Sequence, residues 1–87
     1  SIALWLTLTR VLHLADEGLE LAVLPLTNLE HLYLNSCIGV TNKGVMSLSV
    51  LTNLRVLSIY GNFDVTHEAL KSMLPPLSYL IVIYWKM

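Results

Sequence analysis

Residues 26–48, "LTNLEHLYLNSCIGVTNKGVMSL", and residues 51–73, "LTNLRVLSIYGNFDVTHEALKSM", align without a gap at an offset of 25. Leu29 falls on Leu54, Leu32 on Leu57, Leu34 on Ile59, Cys37 on Asn62, Val40 on Val65 and Val45 on Leu70. A self-similar period of about 20 to 50 residues marks a stacked architecture, because one such unit cannot bury its apolar face without a neighbour.

The flanks join this register once a slip of one residue is allowed at the loops. At an offset of 26, Leu6, Leu8, Val11, Leu14, Asp16, Gly18 and Leu19 stand under Leu32, Leu34, Cys37, Val40, Asn42, Gly44 and Val45. At the other end "LSYLIVIYW", residues 77–85, repeats the first half of the unit, with Leu77, Leu80, Ile83 and Trp85 under Leu51, Leu54, Leu57 and Ile59. A rival register sets Leu12 and Leu14 under Leu32 and Leu34, but it needs a six-residue deletion before "ADEGL". The gapless reading makes the chain one domain, residues 1–87, with units at about 1–25, 26–50 and 51–76 and a partial unit at 77–87.

Each unit changes period midway. In "HLYLN" and "VLSIY" apolar and exposed types alternate, the period of a strand with one buried face. Beyond the Val-Thr step, Val45 and Leu48, and then Leu70 and Met73, stand three apart, on one face of a short helix. Thr41 and Thr66 sit where a side-chain oxygen can cap the first free amides, and Ala15 or Asp16 begins the first helix. Asp16, Glu17 and Glu20, and later Glu68, complement helix dipoles. Pro25 and the Pro75-Pro76 pair stop two of the helices.

Composition bounds the function. The chain is 55% hydrophobic and 13% charged with mean hydropathy +0.67, which excludes disorder and demands neighbours for much apolar surface. Five Lys/Arg against six Asp/Glu leave a net charge of -1 and no basic cluster for a phosphate backbone, so nucleic acid is not an expected partner. No stretch is long enough to span a bilayer, since "LELAVLPL" is broken by Glu20 and Pro25; membrane insertion is not expected either. One cysteine and no Asn-x-Ser/Thr acceptor favour a reducing, cytoplasmic setting. A chain opening at Ser1 reads as a fragment of a longer protein.

The spacing Leu-x-x-Leu-x-Leu-x-x-Cys in "LEHLYLNSC" and Leu-x-x-Leu-x-Ile-x-x-Asn in "LRVLSIYGN" resembles the leucine-rich repeat. "GVTNKGV", "LADEGL" and "DVTHEAL" look like the Val/Ile-Thr-Asp-x-Gly-Leu step of its cysteine-containing subclass. The resemblance implies an α/β solenoid, a right-handed β-α superhelix of three repeats and a terminal strand. Its parallel sheet would line the concave face, with the helices outside. It also implies a non-catalytic protein-binding module, of which the substrate-recognition arms of F-box-type ubiquitin ligases are one instance. The alternative is a spacer array within a larger enzyme or a surface or signalling receptor. Such arrays close with polar caps, absent here, so the ends are expected to meet further units or to self-associate.

In such a stack the ninth position must satisfy inward-facing backbone groups at the strand end. Cys37 and Asn62 can donate there and Val11 cannot, so this structural ladder is weaker at the first unit. A catalytic Cys37 would need a nearby base and an accessible thiolate, and His31 points to the opposite face by parity. Strand parity exposes three columns: Trp5, His31, Val56 and Val82; Thr7, Tyr33, Ser58 and Tyr84; Thr9, Asn35, Tyr60 and Lys86. Trp5, His31, Tyr33, Asn35, Tyr60 and Tyr84 form the expected partner-binding face, rich in the aromatic anchors of protein interfaces. His13, His31 and His67 fall on separate parts of the unit and do not converge on a metal. Asp64 and Glu68 lack an apolar pocket to raise a pKa. No nucleophile, phosphate-loop or triad signature occurs, and neither an enzyme nor a cofactor is expected.

Overall fold

The computed structural model describes residues 4–8, 14–62 and 64–84. In chain order it contains strand β1 (Leu4–Thr7), helix α1 (Asp16–Val23), strand β2 (Leu29–Tyr33) and helix α2 (Asn42–Ser47), which runs on into a 3-10 turn (Leu48–Val50). Strand β3 (Val56–Ser58), helix α3 (His67–Met73) and strand β4 (Val82–Tyr84) follow. The strands form one parallel sheet in the order β1-β2-β3-β4, so this is a small mixed α/β fold in which each strand pairs with the next in sequence. Parallel neighbours need a crossover, and each crossover here carries a helix.

The pairing keeps the offsets of the sequence alignment. Leu32 lies against Leu57, and Leu57 against Ile83. Leu6 lies against Leu32, which leaves no place for the rival register through Leu12 and Leu14. A register shift also falls inside β1, where the expected slip was at the loops: Leu4 pairs with Leu29 at an offset of 25 and Trp5 with His31 at 26. The ladder continues beyond the strands: Arg55 N donates to Glu30 O and Ile81 N to Arg55 O at one end, both 2.8 Å, and Ser36 N to Tyr60 O at the other, 2.8 Å.

Turns recur at the same spacing. Leu26, Leu51 and Leu77 each donate a backbone N–H to the residue three before, and so do Leu29, Leu54 and Leu80. Just after the strands, Ser36 and Gly61 both adopt the left-handed region, with φ of 59° and 80°. Glycine is at home there, whereas Ser36 bears a cost of roughly 1 kcal/mol.

The leucines of β2 and β3 face one core with the inner sides of the helices: Leu32, Leu34, Leu57 and Ile59 are fully buried together with Leu19, Val23, Val45, Leu48 and Met73. Val23 replaces the i+3 partner expected from the other units, and α1 is correspondingly longer. The proline stops stand where expected: α1 ends two residues before Pro25 and α3 two before Pro75. Helix α2 has no proline and ends by tightening into the 3-10 turn.

The helix starts depart from the sequence expectation in a way that ties the units together. Thr66 caps α3 by accepting from Ala69 N at 3.3 Å, but Thr41 makes no cap bond. Instead both its N–H and its hydroxyl donate to the carboxylate of Asp16 in the preceding unit, the N–H at 2.8 Å. Asp16 therefore does more than complement a dipole: it is 92% buried and joins α1 to α2. One unit on, Asn42 repeats the link, its Oδ1 accepting from Thr66 N at 2.8 Å and its Nδ2 donating to Thr66 Oγ1 at 3.0 Å. Gly44 makes room for this, since a Cβ there would stand 2.3 Å from Asp16 Oδ1.

Helix propensity alone would make Gly44→Ala stabilising by about 1 kcal/mol. The clash outweighs it: Gly44→Ala is expected to cost about 1–3 kcal/mol in urea unfolding, with less cost in an Asp16→Ala background. A Gly44→Ala protein more stable than the parent would show that Asp16 does not occupy this place.

Candidate binding face

Side chains that alternate with the core leucines project from the sheet face away from the helices. Parallel pairing sets equivalent positions about 4.8 Å apart, close enough for flat rings to stack. Trp5 and His31 do so, with ring centroids 4.0 Å apart and planes inclined by 11°. Tyr33 continues the stripe, 6.0 Å from Trp5 at 29°. Trp5 is 63% exposed and Tyr60 also lies open to solvent, whereas His31 and Tyr33 are half-buried. Stacking of this kind contributes roughly 0.5–1.5 kcal/mol beyond area burial, so the stripe is a preorganised surface.

The second and third columns are more internally engaged than parity alone suggests. Ser58, expected among the exposed positions, is 97% buried, and its hydroxyl donates to Asn35 Oδ1. Tyr60 N donates to the same oxygen at 3.0 Å. Asn35 thus braces β2 against the chain leaving β3, with its carbonyl oxygen occupied and its amide nitrogen left over. Tyr84 is placed by the pairing of its backbone with Ser58. Val11, Thr9, Lys86 and His13 lie outside the described residues.

Beneath the face runs the polar ladder. Asn62 Nδ2 donates to Leu34 O at 2.7 Å. Cys37, at the equivalent place one unit earlier, donates its S–H to Leu8 O, which corresponds to Leu34. The thiol is fully buried, and its other acceptor is Asn35 O at 3.9 Å. That environment suits a small buried donor and gives no access to a substrate. Among the described residues no His, Cys, Asp and Glu side chains group as a metal site would require.

Sequence reading missed two surface depressions, since loops and a helix flank of the stack make them and no single motif does. One, of about 570 Å³, opens at the strand entries between Glu30, Asn53, Arg55 and Tyr79. The other, of about 520 Å³, lies beside α1 between Glu20, Leu21, Leu24 and Pro25. Away from the sheet, the backbone N–H at the start of α1 and the Lys43 ammonium 3.4 Å away hold Glu17 below the usual carboxylate pKa. A depressed carboxylate stabilises above its unfolded pKa and loses that contribution as pH falls through the folded one. Both partners are solvent-exposed, so salt screens the pair. No helix among the described residues is long and apolar enough to cross a membrane.

Asn62→Val removes the closer of two donors to the buried Leu34 carbonyl, leaving only Cys37 N at 3.4 Å, and is expected to cost about 0.5–1.5 kcal/mol in denaturant unfolding, while Cys37→Val removes only a weak thiol donor and costs less. The opposite order of midpoints would contradict the geometry. Compared with known proteins, the chain matches no family model and no curated protein significantly.

Proposed function

We propose that this chain is a leucine-rich-repeat solenoid of the cysteine-containing subclass that presents its open sheet face to a protein partner and performs no catalysis itself. Support for the architecture comes from the pairing of successive strands at the 25- and 26-residue offsets. The equivalent donations of Cys37 and Asn62 to consecutive strand-end carbonyls support it too. The observation that carries the binding reading is the stacked group of Trp5, His31 and Tyr33, in which the largely exposed Trp5 contacts both other rings. Exposed rigid aromatics bearing a polar atom lose little conformational entropy on burial and are favoured interface anchors. By analogy of fold and subclass, the proposal extends to a substrate-recognition arm of an F-box-type ubiquitin ligase.

The second reading, a spacer array, draws on the internal bonding of Asn35, Ser58 and Tyr60, which satisfies part of the face without a visitor. Photo-crosslinking separates the two. With benzoylphenylalanine replacing Tyr33 or Tyr60 in cells, one defined protein is expected to be trapped; the same probe at exposed Lys71 on α3 should not trap it, and Trp5→Ala should reduce the yield several-fold. Equal trapping from Lys71, or none from the sheet, would favour the spacer.

A further inference from the structure

The depression at the strand entries brings opposite charges together without pairing them. Glu30, Arg55 and Ile81 hold the same place in successive units: Arg55 N donates to Glu30 O and Ile81 N to Arg55 O, both at 2.8 Å. The Glu30 and Arg55 side chains line the same space of about 570 Å³, yet neither makes an ion pair or a side-chain hydrogen bond with any described residue. The rest of the wall is partly apolar. Tyr79 and Ile81 line it while remaining 64% and 67% exposed. Asn53 donates through Nδ2 to Thr27 O at 3.1 Å, which leaves its Oδ1 as an acceptor at the rim.

A guanidinium only donates and its planar fork fits a carboxylate, whereas a carboxylate only accepts and suits an ammonium. A simple anion is repelled by Glu30 and a simple cation by Arg55, but a ligand carrying both charges a few bonds apart meets both. An exposed pairing of Glu30 with Arg55 is a weak competitor for such a ligand, because solvent screens it. Small-molecule sites are concave spaces of roughly 300–1,000 Å³ in which an apolar wall meets a few polar groups, and this depression has that make-up. We propose that it binds a zwitterionic α-amino acid with an apolar or aromatic side chain. The ligand carboxylate pairs with the Arg55 guanidinium and its ammonium with the Glu30 carboxylate and Asn53 Oδ1, while its side chain lies on Tyr79 and Ile81. The site is open to water, so its dissociation constant is on the order of 1 mM. It lies at the strand entries and not on the aromatic sheet face, so it is independent of the partner-binding reading.

Phenylalanine titrated into the isotope-labelled chain is expected to shift the backbone amide resonances of Arg55, Tyr79 and Ile81 saturably. Phenylalanine amide, which lacks the carboxylate, and N-acetylphenylalanine, which lacks the ammonium, should each bind at least about fivefold more weakly. Neither charged side chain is bonded to the fold, so Arg55→Gln and Glu30→Gln should keep the parent's circular dichroism. Arg55→Gln is expected to bind phenylalanine and its amide alike, and Glu30→Gln to bind phenylalanine and N-acetylphenylalanine alike. Absence of saturable shifts, equal or tighter binding of either blocked analogue by the parent chain, or the parent's discrimination persisting in either variant would overturn the site.

Discussion

The constraint on which the structure depends is common register. A parallel strand matches its neighbour only if both present donors, acceptors and apolar side chains in the same phase, and a slip of one residue turns every side chain to the wrong face. Here Leu32, Leu57 and Ile83 hold one rung, and His31, Val56 and Val82 the next. Placing those leucines inward is what aims Trp5, His31 and Tyr33 outward, so the core and the candidate face follow from one geometric condition.

Hydrophobic burial is not directional and would not fix that register to the residue by itself. Polar links from each unit to the next supply the direction: Asp16 to Thr41, Asn42 to Thr66, Thr27 O to Asn53, Cys37 to Leu8 and Asn62 to Leu34. Each satisfies a backbone or side-chain group left over by the local turn, and each spans close to one repeat. Close approach is needed for some of them, as Gly39 shows: a Cβ there would meet the Leu14 carbonyl at 2.3 Å. Small residues at such points are therefore packing requirements of the stack.

Much of this was legible because strand periodicity and the repeat act together. The strand pairing, the proline stops and the common task of Cys37 and Asn62 follow from residue type and spacing. The links at the helix starts were not legible, since Thr41 next to a helix offers a local cap and a distant carboxylate with equal plausibility. Burial of Ser58 also escaped, because parity assigns a face and says nothing of a neighbour such as Asn35 reaching over it. Leu26 is partly exposed while its equivalents Leu51 and Leu77 are buried, so an aligned leucine does not guarantee an equal environment in every unit. On the candidate face, sequence named the aromatic column but could not show its rings stacked or the oxygen of Asn35 already engaged. Both are matters of side-chain geometry, which residue type and spacing leave open.

Cross-strand nuclear Overhauser effects report the in-phase pairing of the strands in solution. Parallel-sheet backbone contacts are expected to join Leu32 to Leu57 and Leu57 to Ile83. Contacts that place His31 opposite Leu57, or that pair β2 and β3 antiparallel, would contradict it.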